Sequence, residues 1–189
     1  MRRYGLIFLL AMSVTLSWAE ETEHYVTDFV APEDFKMFLY NKAPMEVELA
    51  DEYPPIEPPA GHDKKSLKVK ATWPGGEEFH YVSLQIQANK DVLFEANRIN
   101  IWVKGTGTRH IMEVAFKDAS GEAGKVAMGE LKSTEWIQLT KVLPIEVKQP
   151  IQILGINLHD WNDKTVGETI CYLSLFGVTV DSAKPLEPK

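Results

Sequence analysis

From Leu67 onward apolar residues recur at every second position, and a chain with that period buries them by forming pleated strands. Leu67, Val69 and Ala71 alternate with Lys68, Lys70 and Thr72, and Val82, Leu84 and Ile86 with Ser83, Gln85 and Gln87. Ile99, Ile101 and Val103 are interleaved with Asn100, Trp102 and Lys104. Met112, Val114 and Phe116 then follow between Ile111, Glu113 and Ala115. Each run predicts one dry face and one wet face. Further strands are expected at Lys125–Met128, Trp136–Val142, Ile151–His159 and Thr169–Val180, the last apolar on both sides and therefore central in its sheet. A first strand is expected at Tyr25–Phe29, and the one helical window, Pro32–Tyr40, predicts at most a short helix near the N-terminus.

Between the strands stand Pro74-Gly75-Gly76, Gly105-Thr106-Gly107 and Asp118-Ala119-Ser120-Gly121. Their glycines permit the positive φ that tight turns require, and a hairpin is expected at Gly105–Thr108. Many short strands with few helical windows predict an all-β chain, an antiparallel β-sandwich of the jelly-roll kind. The segment 53–61 holds Pro54, Pro55, Pro58 and Pro59, which remove backbone donors and set φ, so it is read as an extended proline-rich loop. It is a rigid connector or a docking element, the connector being the simpler account. Residues 20–182 are expected to make one domain and 183–189 a flexible tail.

The N-terminus carries an address. Arg2 and Arg3 precede the apolar run Leu6–Leu16, and Ser17-Trp18-Ala19 supplies small residues at the −3 and −1 positions of a cleavage site, so residues 1–19 read as a signal peptide. The run is shorter than the roughly 20 residues of a membrane span. Export to the periplasm without membrane insertion is expected. Loss of the two arginines takes the formal charge from −7 two units further negative. Nucleic acid and anionic surfaces are poor partners for such a chain unless basic residues cluster, and Lys64, Lys65, Lys68 and Lys70 read instead as the wet side of a strand. Cys171 is the sole cysteine, so no internal disulfide forms and stability rests on burial.

No motif for catalysis stands out. His110 and Glu113 lie three apart, which on a strand puts them on opposite faces, so they do not converge on a metal ion. Gly105-Thr106-Gly107-Thr108 lacks the helix N-terminus that a phosphate cradle needs. No Gly-x-Ser-x-Gly elbow is present. No enzyme and no cofactor are expected, although the acidic loop Asp160–Asp163 offers oxygens for a structural calcium. Four tryptophans remain beyond the leader. Trp136 is expected in the core, whereas Trp73, Trp102 and Trp161, with Pro55 and Pro58, are candidate contacts for a partner or a ligand, since exposed rings stack on sugars or anchor interfaces; for each of these rings, capping the edge of the core is the simpler account.

The order Ile99-Asn100-Ile101-Trp102-Val103-Lys104-Gly105, Glu113-Val114-Ala115-Phe116-Lys117-Asp118, Met128-Gly129-Glu130-Leu131, Trp136-Ile137-Gln138-Leu139 and Leu143-Pro144 resembles the outer-layer (sheath) proteins of spirochaete periplasmic flagellar filaments. Ile156-Asn157-Leu158, an acidic turn and the strand Tyr172–Val180 continue the likeness, which covers roughly 66–182. The resemblance implies a structural filament subunit laid on the flagellin core among other sheath proteins, contributing to filament shape, stiffness and motility. It implies no catalytic residue. The same strand order occurs in carbohydrate-binding modules with a galactose-binding-like jelly roll. A secreted carbohydrate-binding module, with carbohydrate as partner, is therefore the alternative, and a periplasmic scaffold protein the third reading.

Overall fold

The computed structural model describes residues 21–40, 43–76, 79–87, 91–159 and 166–181. The expected signal peptide, Trp161, the Asp160–Asp163 loop and the tail 183–189 lie outside them. Twelve strands make up the fold: β1 (Glu21–Thr27), β2 (Phe35–Tyr40), β3 (Met45–Ala50), β4 (Ser66–Pro74), β5 (Tyr81–Ile86), β6 (Leu93–Phe94), β7 (Arg98–Lys104), β8 (Ile111–Lys117), β9 (Ala123–Glu130), β10 (Ile137–Val142), β11 (Ile151–His159) and β12 (Val166–Asp181). They form two antiparallel six-stranded sheets. Sheet A runs β10-β7-β12-β4-β3 with β1 alongside β12, and sheet B runs β2-β5-β11-β8-β9 with β6 alongside β11.

The alternation sets which side of each strand is dry. Leu67, Val69 and Ala71 of β4, Ile99, Ile101 and Val103 of β7, and Cys171 and Leu173 of β12 line the inner face of sheet A. Val82 and Leu84 of β5, Met112, Val114 and Phe116 of β8, and Ile156 and Leu158 of β11 answer them from sheet B. All are buried, and removal of their apolar surface from water, at about 25 cal/mol per Å², is the main force holding the layers together. Burial pushes the Cys171 thiol up to about 12, so it behaves as a small apolar residue. β12 is central, as its two-sided apolar character predicts: it pairs with β7 on one edge and with β4 and then β1 on the other.

Four expectations are corrected. The first strand ends at Thr27, because Phe29 takes φ 64 to bury its ring against Phe35 and Phe176. The window Pro32–Tyr40 holds only a 3-10 turn, Pro32–Asp34, and then strand β2. Phe35, Phe38 and Leu39 have helical spacing, but β2 pairs along its length with β5, and the ladder overrides the local pattern. The Gly105–Thr108 segment is no hairpin, since β7 belongs to sheet A and β8 to sheet B. It carries the chain across the sandwich. Trp136, finally, is only half-buried. Ile137 and Leu139 pack against the core from the next strand, which turns the Trp136 ring toward Tyr172, with centroids 6.4 Å apart. The strand β3 was not expected at all, although Met45, Val47 and Leu49 alternate with Glu46 and Glu48.

Candidate functional site

The outer face of sheet B carries an open groove of about 600 Å³. It follows directly from register. Side chains on that face come from every second residue, and the ladder aligns Lys36 of β2, Gln85 of β5, Gly155 of β11, Ala115 of β8 and Lys125 of β9 in one row across five strands. The next row, about 6.6 Å along the strands, holds Phe38 of β2, Ser83, Asn157, Glu113 and Ala127. Glycine and alanine at the centre of the first row leave a trench where side chains would otherwise stand. Gly155 is obligatory there: a β-carbon would overlap the Leu84 carbonyl oxygen and stand 3.0 Å from Gln85 Cα. A register shift in β11 between Ile153 and Gly155 puts this glycine at the centre of the face.

One wall is aromatic. Phe38 and Tyr81 stack with centroids 6.1 Å apart, and Phe79 continues the array 6.0 Å from Tyr81 and 5.6 Å from the His159 ring. Phe38 is 44% exposed and Phe79 39%, so their flat faces are available. The floor and far side carry carboxamides, Gln85, Gln87, Gln152 and Asn157, each with two donors and an acceptor oxygen. Two charges of opposite sign, Lys125 and Asp91, line the same space. Lys125 Nζ lies 3.6 Å from Glu113 Oε2 and 5.9 Å from the Tyr81 ring centroid. His159 Nε2 lies 3.4 Å from Glu113 Oε1. The face therefore presents aromatic surface, paired charge and amide groups.

Of the sequence-derived candidates among the described residues, Trp73, Trp102, Pro55 and Pro58, none lines this groove. Trp73 is no exposed ring: it is 1% exposed, stacks on His110 at 4.4 Å and 16°, and donates its Nε1 hydrogen to Thr169 Oγ1 at 2.9 Å. Thr169 Oγ1 in turn lies 2.7 Å from His110 Nδ1. Trp73, Thr169 and His110 thus join the two sheets at one end of the sandwich, and burial, with a smaller contribution from His159, pushes His110 down to about 4. Trp102 does lie on the face opposite Ile101 and Val103, half-buried on the outside of sheet A between Gln138 and Ser174. Pro55 is exposed, Pro58 half-buried and Pro54 buried. Their loop is tied to the body by Lys104 Nζ and Glu52 Oε2 at 2.5 Å, and by His62 Nδ1 and Asp28 Oδ2 at 3.1 Å.

Among the described residues no three His, Cys, Asp or Glu side chains are placed to hold a metal ion. His110 faces inward to Thr169 while Glu113 faces outward to Lys125, as strand geometry requires. The groove residues left one faint sign in the sequence: Ser83, Gln85 and Gln87 form a wet face without a single charge, and Asn157 interrupts an apolar strand. Phe38 was hidden by the helical reading of its segment.

No protein-family model matches the chain, and no curated protein matches it. Solved structures do. A carbohydrate-binding module of the β-sandwich superfamily, described for promiscuous specificity, aligns over 78% of this chain at TM-score 0.52 and 15% identity. The aligned stretch spans 57% of that chain. The family 11 carbohydrate-binding module from Clostridium thermocellum, solved with a β-1,3-1,4-mixed-linked tetrasaccharide, aligns at TM-score 0.48 and 12% identity, covering 82% of this chain and 94% of its own. A variant of a family 29 carbohydrate-binding module, made to probe ligand recognition, gives TM-score 0.49 and 10% identity over 89% of this chain and 99% of its own. The fold is thus the antiparallel β-sandwich jelly roll found in carbohydrate-binding modules. At these identities the likeness is one of fold.

Proposed function

We propose that this protein is a non-catalytic glycan-binding module and that the groove on the outer face of sheet B holds an uncharged, linear sugar chain. The observation that carries the reading is the combination in one trench of a small-residue floor, Gly155 and Ala115, an aromatic wall of exposed Phe38 and half-buried Tyr81, and a set of carboxamides. Pyranose rings offer apolar C–H faces that stack on aromatic rings, and hydroxyls that both donate and accept, which is what carboxamides match. The volume lies within the 300–1,000 Å³ range of small-ligand sites. Lys125 and Asp91 bring opposite charges to the lining, so no net charge is left to select an acidic sugar.

A glycan array followed by titration calorimetry with the best neutral oligosaccharide tests the reading. Binding weakened several-fold to tenfold by Tyr81→Ala supports it. Failure to bind any neutral glycan overturns it.

The second reading, a sheath subunit of a periplasmic flagellar filament, draws on the motif order from Ile99 to Pro144 and on the expected export to the periplasm. Mass spectrometry of purified, detergent-stripped periplasmic flagella tests it. Retention of the chain at near-stoichiometric abundance beside flagellin supports that role, and recovery only as free protein removes it.

A further inference from the structure

The strand β2 is an edge of sheet B, paired among the described residues only with β5, and its run of apolar side chains sets it apart from the other edges. Edge strands are ordinarily protected by charge, because their free backbone groups are a template for another strand. β3 carries Glu46 and Glu48, the latter bonded to Lys68 at 2.6 Å, and β9, β10 and β2 itself each carry an exposed lysine, Lys125, Lys141 and Lys36. On β2, by contrast, Met37, Phe38 and Leu39 are consecutive and 46%, 44% and 44% exposed. The other exposed large apolar side chains among the described residues stand singly or in one pair. Register explains the exposure. Phe35, Met37 and Leu39 share the inward side of β2, as Met45, Val47 and Leu49 share that of β3. Phe35 and Met45 are buried while Leu39 and Leu49 are not, so each of these two edge strands leaves its inner side uncovered toward its own C-terminal end.

We infer that β2 pairs antiparallel with β2 of a second copy, joining two B sheets across a two-fold axis at Phe38. Strands that merge two sheets must keep inner side chains on the inner side, so residues opposite one another must share parity. A pairing centred on Phe38 meets that condition: Phe38 faces its equivalent, Met37 faces Leu39, and Lys36 faces Tyr40. The strand's single charge never meets its own copy. The two lysines are four residues apart along the joined strands, about 13 Å, beyond the ~8 Å screening length at physiological salt. An almost uncharged apolar strand is self-complementary in a way that the acidic remainder of the chain is not, which favours a second copy over a charged partner. The joined strands place Met37 and Leu39 of both copies in one apolar strip beneath the sheet and both grooves on its outer face. The inference stands whether or not those grooves hold a glycan.

Sedimentation equilibrium of the purified protein, from low micromolar to about 1 mM, tests it. A dimer mass that dissociates on dilution is expected, with Leu39→Glu and Met37→Lys each weakening association at least tenfold. Both substitutions lie on the face opposite the groove, so glycan affinity per chain is expected to be unchanged. Independently of any variant, the amides of Lys36–Tyr40 should exchange with deuterium more slowly at high protein concentration than at low. A monomer at every concentration, a dimer indifferent to both substitutions, or β2 amides whose exchange ignores concentration overturns the inference.

Discussion

The buried His110 makes the stability of this sandwich depend on pH in a window of its own. The imidazole is 2% exposed, stacked on Trp73 and bonded through Nδ1 to Thr169, while Nε2 has no partner among the described residues. It is neutral in the fold, with a value of about 4 against 6.5 in the unfolded chain. Below pH 6.5 the unfolded state takes up a proton that the folded state refuses, so stability is fully present above 6.5 and is lost as pH falls toward 4. Each pH unit inside the window costs about 1.4 kcal/mol, and integration to pH 4.5 gives a loss of about 2.5 kcal/mol relative to pH 8. That is a large fraction of the 5–15 kcal/mol typical of a domain. Urea unfolding followed by tryptophan fluorescence between pH 8 and 4.5 measures it, with His110→Gln as the reference chain that lacks the titration. The wild-type curve is expected to fall more steeply than that of the variant by about 2.5 kcal/mol over the range. Equal slopes for the two chains, or an NMR titration of His110 with a midpoint at or above 6.5, would refute the reasoning.

Other outcomes follow from the same geometry. Phe38→Ala and Tyr81→Ala each remove a stacking ring worth about 0.5–1.5 kcal/mol beyond its burial, so calorimetry should show a several-fold to tenfold loss of glycan affinity in a chain that is still folded. Gly155→Ala forces β11 away from the Leu84 carbonyl and should cost about 1–3 kcal/mol in denaturant unfolding, together with most of the groove's affinity; an unchanged midpoint would show that the strands part easily. Cys171, buried and with its thiol pushed up to about 12, should react with a thiol reagent only at the rate of global unfolding, so labelling in seconds under native conditions would contradict its placement.

The fold was legible to the extent that each strand announces itself locally. Period-two alternation at 67–72, 82–87, 99–104 and 111–116 marks strands whatever their neighbours, because Cβ direction depends only on the strand's own backbone. Met45-Glu46-Val47-Glu48-Leu49 carries the same signal and was legible too. β2 was not, because an edge strand exposed on both sides has no wet and dry face, and Phe35, Phe38 and Leu39 then mimic a helix.

Sequence alone thus determined the all-β class and the central place of β12, both consequences of local periodicity and apolar content. Tertiary structure decided which turns cross between sheets, that Trp73 lies beneath His110 while Trp136 turns outward, and where the groove lies. A row such as Gln85, Gly155, Ala115 and Lys125 is assembled by register between strands far apart in the chain, and pairing of that kind leaves no mark in the order of residues.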